Sequence, residues 1–313
     1  MKRLREFCFD HHITALWQAP MSDYTSLRIG GKADAFLLPS TEGGLVAVIS
    51  FLNDEGIPFC VIGNGTNLLV SDEGFRGVLI STRHIRSVTV NGTEVKAACG
   101  TPISVLERHL ADHSLGGLEP LYGIPGTVGG AVYMNAGAYG TEIADRVNMV
   151  SVIHTADGQC GVLQKKDCRF GYRQSAFMQS RETAILSVEL SLERRREAEV
   201  RESMRRYLSI RMEKQPTALP SAGSAFKRPD GFYAAKLIEE AGLSGLRVGG
   251  AAVSVKHTGF IVNLGDATAR DVRLLMRQIK DTVASRFGVC LTSEIEYIDE
   301  NGRIRDPLSE DEP

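Results

Sequence analysis

The sequence predicts an α+β fold divided into two or three lobes, and three observations carry this expectation. The chain has 313 residues, beyond the roughly 250 to 300 at which a single hydrophobic core stops growing. Asn91-Gly92 and Asp157-Gly158 each stand between runs of alternating polarity, the pattern of antiparallel hairpins. On either side, helix-period segments alternate with short apolar runs.

Taken in order, residues 41–56 read as a helix, and "FCVI" (59–62) and "GVLI" (77–80) as strands between glycine-bearing loops. "SVTVNGTEVKAAC" reads as a hairpin with a type I′ turn at Asn91-Gly92. In "TPISVLERHLADHSL", Ile103, Leu106 and Leu110 recur at helical spacing behind a Thr101 cap and a proline in the first turn. "AILSVELSL" (184–192) alternates like a half-buried strand, and with the hairpin at Asp157-Gly158 it makes the middle lobe α+β.

The charge-dense run 193–214 predicts a solvated helix with Val200, Met204 and Leu208 as its inner stripe. Its seven arginines are interleaved with glutamates and have no aromatic ladder, which disfavours nucleic acid as partner. A third lobe comes next: a helix at 232–242, strands in "RVGGAAVSV" and "GFIVNLG", a helix in "TARDVRLLMRQIKDTVASRFG" and a strand in "VCLTSEIEYID". Leu274, Leu275, Ile279 and Val283 are its expected buried stripe.

Composition excludes several function classes. Lys plus Arg (36) nearly cancels Asp plus Glu (38), so no global field draws nucleic acid or an anionic membrane, and an anionic ligand must meet a local site. The start, "MKRLREFCFDHHITALW", lacks the apolar core of a signal peptide, and no run approaches a membrane span. The expectation is a cytoplasmic protein with no membrane partner. The six cysteines never form C-x-x-C, and no histidine falls at metal-binding spacing from them, so no metal site is expected.

Two glycine-rich stretches carry the functional signal. "VIGNGTNLLV" sets Gly63, Asn64, Gly65, Thr66 and Asn67 between two apolar runs, where glycine allows positive φ and exposes consecutive amides that bind anions. "GIPGTVGGAVYMNAGAYG" (123–140) has six glycines and no charge. There Gly123, Pro125 and Gly126 form a turn, Thr127 caps the next segment, and Gly129 and Gly130 permit close approach to a ligand's phosphates. Neither stretch is a G-x-G-x-x-G fingerprint or a P-loop.

Six ordered motifs, "YTSLRIGGKADAFLLP" (24–39), "GNGTNLLV", "GIPGTVGGAVYMNAGAYG", "CRFGYRQSAF" (168–177), "SAGSAFKRP" (221–229) and "HTGFIVNLGDATARDV" (257–272), resemble the UDP-N-acetylenolpyruvoylglucosamine reductase (MurB) family over about residues 24–296. The short span before "GYRQS" is similar to the smaller, type II branch. The resemblance implies a two-lobed FAD-binding module of the vanillyl-alcohol-oxidase (PCMH) type, with lobes at 20–83 and 84–200, and a smaller α/β substrate-binding domain at 201–313. It implies NADPH-dependent, FAD-mediated reduction of UDP-N-acetylglucosamine enolpyruvate to UDP-N-acetylmuramate in peptidoglycan precursor synthesis, with no obligate protein partner.

The resemblance also assigns residues. Ser224 in "SAGSAF" matches the family's proton donor, Arg173 in "GYRQS" its arginine for the substrate carboxylate, and Glu294 in "TSEIEY" its catalytic glutamate. Gly63, Asn64, Gly65, Thr66, Asn67, Gly126, Thr127, Gly130 and Ala138 are the expected cofactor contacts. Tyr139, Tyr172 and Lys214 are the expected substrate contacts, and Lys227 lies beside them in sequence. Ser293 and Glu296 depart from the family's usual proline and arginine. The loss of a base there is either made good by Arg247 or Lys256 or lowers substrate affinity, so Glu296→Arg is expected to lower KM. Two other classes stay open at this point, a flavin oxidase and a non-catalytic binder of flavin or UDP-sugar. Neither needs the serine that protonates a carbanion.

Overall fold

The computed structural model describes residues 1–309. Contacts divide it into two compact units through which the chain weaves. The first comprises Met1–Leu16, Phe36–Asn64 and Val78–Arg211. The second comprises Trp17–Ala35, Gly65–Gly77 and, among the described residues, 212–309.

The first unit is built on a five-stranded antiparallel sheet, in the order Cys160–Gln164, Val147–His154, Thr183–Ser191, Glu94–Ala98, Val88–Asn91. The central strand Thr183–Ser191 is buried over most of its length rather than on alternate residues. Helices Val128–Tyr133 and Ala176–Ser180 pack against it, and the consecutive residues Ala184 to Val188 all lose water, as in a strand covered on both faces. The first hairpin forms one residue later than its sequence suggests: Asn91 pairs with Glu94, which leaves Gly92 and Thr93 as the turn. Only Gly92 has positive φ, at +64°. A type I′ turn needs it at both central positions, whereas glycine at the first is the II′ pattern.

Thr101 does not cap helix Ile103–Asp112. Its hydroxyl donates to the Ser87 carbonyl at 3.0 Å, and Pro102 holds the cap position with no side-chain bond. The inner face of that helix buries Glu107, 1% exposed, beside apolar Leu106 and Leu110. Burial, and then the nearby Glu119, push its carboxyl well above the ordinary value. The charge-dense helix runs Glu197–Lys214, after a short strand Glu193–Arg194. Its outer face is laced by pairs such as Arg201–Glu197 at 2.7 Å. Val200 and Met204 are buried and Leu208 half-buried, and the stripe ends on a buried arginine, Arg211. Burial pushes the thiols of Cys8 and Cys168 up to about 11 and Cys99 to about 12, which makes them inert core residues.

The second unit carries a four-stranded antiparallel sheet, in the order Ser221–Ser224, Phe260–Asn263, Ala251–Val253, Arg247–Val248. Helix Ala269–Phe287 packs on it and against the shorter helix Ala234–Glu240. Its buried stripe is Val272, Leu275, Met276, Ile279 and Val283; Leu274, expected inside, is 42% exposed because it falls off that face. Segment Gly65–Gly77 is tied into this unit from two sides. Its strand Leu68–Val70 pairs in parallel with Glu296–Ile298. Asp72 accepts from Ala269 N at 2.7 Å and Arg270 N at 3.1 Å, a carboxylate set on a helix N-terminus.

Candidate functional site

The loop that leaves strand Phe59–Ile62 is held at its start by Ser81 Oγ, which donates to the Gly63 carbonyl at 2.8 Å. A Cβ on Gly63 would come within 2.8 Å of Thr127 Oγ1, so only glycine lets the two glycine-rich stretches meet there. Gly65 turns the chain with φ +68°, and a Cβ on it would strike the Tyr24 carbonyl at 2.4 Å. Among the described residues, the amides of Asn64, Gly65, Thr66 and Asn67 make no main-chain hydrogen bond. Consecutive unspent amides in a glycine turn form a nest for a diphosphate, and this is the feature that fits a dinucleotide cofactor.

The second stretch differs, because the amides at its helix start already have partners. Thr127 is buried and caps Val128–Tyr133, accepting from Gly130 N at 3.3 Å. Val128 N donates to the Thr101 carbonyl at 2.9 Å and Gly129 N to the Cys99 carbonyl at 2.8 Å. The first three amides of the helix are thus spent inside the unit. Gly126, with φ +154°, and Gly130, half-buried, can serve a cofactor by close main-chain approach, not by a ring of helix-start donors. Ala138 sits in the two-residue strand Gly137–Ala138, paired with Thr141.

Arg173 stands at the tip of a tight turn in which Gly171 and Gln174 exchange both main-chain bonds, at 3.0 and 3.1 Å. The turn forces φ +49° on a non-glycine residue. Its guanidinium donates through Nη2 to the Gly137 carbonyl at 2.7 Å and through Nη1 to the Asn135 carbonyl at 3.3 Å. Asn135, fully buried, closes the corner from behind: its Nδ2 donates to Glu142 Oε2 at 2.7 Å and to the Gly171 carbonyl at 2.8 Å. The structure therefore draws "GYRQS" and "MNAGAYG" into one arginine corner. Tyr172 is 47% and Tyr139 45% exposed. Tyr139 stacks on Tyr207 with centroids 5.0 Å apart, and the Arg211 guanidinium lies 5.8 Å from its ring.

In the second unit, Ser224 ends the edge strand Ser221–Ser224, pairing with Phe260 after a kink at Gly223, φ +78°. The next residue, Ala225, accepts from Glu294 N at 3.0 Å, and Lys227 N donates to the Thr292 carbonyl at 2.9 Å. These bonds lay the segment around Ser224 beside the one that carries Glu294. The Glu294 carbonyl is held in turn by Asn67 Nδ2 at 2.9 Å. Glu294 is half-buried and lies just before the strand Glu296–Ile298 rather than in it.

Of the bases near these segments in sequence, Lys214 and Arg247 are exposed. Lys256 gives its Nζ to the Met212 carbonyl at 2.7 Å. Glu296 is only 8% exposed, so an arginine placed there would enter a buried slot. Sequence reasoning missed Asn135 and Arg211. Arg211 carried a signal, since it continues the stripe Val200, Met204, Leu208 at helical spacing; burial lowers its pKa. Asn135 carried none, because its partners are 7 and 36 residues away.

The same stretches of chain match known proteins. Residues 33–163 match a family model described as FAD binding domain. Residues 215–298 match one described as UDP-N-acetylenolpyruvoylglucosamine reductase, C-terminal domain. The chain is 45% identical over 281 residues to the UDP-N-acetylenolpyruvoylglucosamine reductase of Caldanaerobacter subterraneus subsp. tengcongensis, covering 90% of this chain and 92% of the relative. It is 44% identical over 301 residues to that of Caldicellulosiruptor saccharolyticus, covering 96% of each. Its fold is similar to the crystal structure of the reductase (MurB) from Thermus caldophilus, with TM-score 0.76 and 36% identity, covering 91% of this chain and 98% of that one. No helix among the described residues is long and apolar enough to cross a membrane.

Proposed function

The chain belongs to the UDP-N-acetylenolpyruvoylglucosamine reductase family, and from that premise we infer which of its residues carry the reaction and how. It is a flavin-dependent oxidoreductase that uses NADPH to reduce the enolpyruvyl UDP-sugar to UDP-N-acetylmuramate for peptidoglycan synthesis. Its length fits the smaller branch of the family. FAD, when bound, would supply the hydride-transfer chemistry that links NADPH to the enolpyruvyl group. The amides of Asn64 to Asn67 would hold its diphosphate, and Gly126, Thr127, Gly130 and Ala138 would give it close main-chain approach.

As hydride reaches the terminal carbon, negative charge grows on the neighbouring carbon and spreads into the carboxylate α to it. Ser224 gives its hydroxyl proton to that carbon. A serine is a weak acid, yet transfer to so basic a carbon is favourable when position is fixed. Arg173, with its guanidinium plane anchored on two carbonyls, pairs with the carboxylate where charge increases, and so favours the transition state over the ground state. Glu294, in its protonated form, donates to an oxygen of that carboxylate. Tyr139, Tyr172 and Lys214 meet the sugar nucleotide. We place this activity in the cytoplasm, with NADPH and the UDP-sugar as partners and no nucleic acid, membrane or obligate protein partner. The same reading assigns flavin binding to 20–83 and 84–200, and substrate binding to 201–313.

The observation that supports the assignment is the Glu294 N–H bond to the Ala225 carbonyl at 3.0 Å, which ties the carboxyl-bearing segment to the residue after the proposed proton donor. An anaerobic stopped-flow experiment tests the reading. NADPH should bleach the flavin, and the enolpyruvyl UDP-sugar should restore its colour. Colour restored by oxygen alone would indicate an oxidase, and flavin untouched by NADPH would indicate a binder.

A further inference from the structure

Asn67 closes the motif "GNGTN", whose other members offer main-chain amides, but its side chain is engaged elsewhere. The carboxamide Nδ2 donates to the Glu294 carbonyl at 2.9 Å, across 227 residues of sequence. The Asn67 carbonyl accepts from Glu296 N at 3.1 Å. Two residues on either side of Ile295 are thereby fixed by one asparagine. The parallel ladder that begins with Leu68 opposite Glu296 cannot reach Glu294 by itself; the side chain of Asn67 extends it by the missing rung. On the other side, Glu294 N donates to the Ala225 carbonyl at 3.0 Å. Both polar groups of the Glu294 peptide backbone are therefore pinned, one by the segment that carries Ser224 and one by Asn67.

We propose that Asn67 is a positioning residue for the reduction: its side-chain amide fixes the peptide that carries Glu294 and so aims the carboxyl at the developing charge. This rests on the role given to Glu294 under the proposed function. Asn67 then serves a cofactor through its main-chain amide only, and its side chain is a device of the second half-reaction. Removing the amide frees the Glu294 carbonyl to rotate, and displacement of a catalytic group by about 1 Å costs on the order of 100-fold in rate. Flavin binding and reduction by NADPH do not use Glu294 and should not change.

The test uses the purified holoenzyme and its two half-reactions. Asn67→Ala should retain its FAD:protein ratio and its rate of reduction by NADPH within about twofold, while reoxidation by UDP-N-acetylglucosamine enolpyruvate slows by roughly 10- to 100-fold. The double variant Asn67→Ala/Glu294→Gln should be no slower than Glu294→Gln alone, because the second change has nothing left to misplace. Asn67→Asp, equal in size but unable to donate when ionised, should show the same selective loss if the alanine variant proves unstable. Loss of FAD, equal damage to both half-reactions, or a multiplicative loss in the double variant would overturn the proposal. A Glu294→Gln enzyme that reoxidises at the wild-type rate would instead overturn the role of Glu294. A slow Glu294→Gln beside an unaffected Asn67→Ala rejects the positioning role alone.

Discussion

Arg173 Nη2 donates to the Gly137 carbonyl at 2.7 Å, and with the Asn135 carbonyl this fixes the plane of the guanidinium before any substrate arrives. A fork can hold two carbonyls with some donors and a carboxylate with others, whereas an ammonium is a point charge. Arg173→Lys is expected to lower kcat/KM for the UDP-sugar about 100-fold, a loss of about 2.7 kcal/mol of transition-state binding. Steady-state kinetics checks this, and a value within threefold of wild type would remove Arg173 from the mechanism.

Ser224→Ala removes the proposed proton without changing the strand that carries it, because Ser224 pairs with Phe260 through the backbone. Reduction of the flavin by NADPH should survive within about twofold, and reoxidation by the UDP-sugar should fall by roughly 10²- to 10⁴-fold, the usual range for a general acid. Single-turnover stopped flow separates the two. Equal damage to both would point to misfolding.

Gly65→Ala should cost about 2 kcal/mol or more, since a side chain at φ +68° is strained and its Cβ would lie 2.4 Å from the Tyr24 carbonyl. Because the neighbouring amides form the proposed diphosphate nest, FAD affinity should fall with stability. Equilibrium titration of the apoprotein with FAD and urea denaturation would measure the two. An unaltered flavin affinity would locate the diphosphate elsewhere.

Glu107 gives a pH dependence that has no link to catalysis. Its folded-state pKa lies well above the ordinary 4.5, chiefly through burial, so between those values the folded chain holds a proton that the unfolded chain lacks. Stability from this group is full below about pH 4.5 and is lost as pH rises toward the folded pKa. Glu107→Gln should therefore raise Tm by about 2 °C or more at pH 8, with the gap closing near pH 4.5. Calorimetry across that range decides it, and a gap that widens on acidification would mean the sign is wrong.

The sequence by itself determined what depends on neighbours a few residues apart. Leu275, Ile279 and Val283 of the stripe on helix Ala269–Phe287, Gly65 of "GNGTN" with its left-handed turn, and the motif order on which the proposal of Ser224, Arg173 and Glu294 rests were legible along the chain, whereas Leu274 was placed inside and Val272 and Met276 were not read. The first hairpin was legible too, though its turn was displaced by one residue because strand register, not dipeptide preference, sets which residues bulge out. Only the tertiary structure decided how amides and side chains are spent. Thr101 turned from a cap into a bond to Ser87, the helix start at Val128–Gly130 exhausted its donors on its own unit, and Asn67 reached across 227 residues to Glu294. A hydrogen-bonding group has few partners in a packed interior and many candidates along a chain, and the choice among them is made by distance in space, which local sequence does not encode.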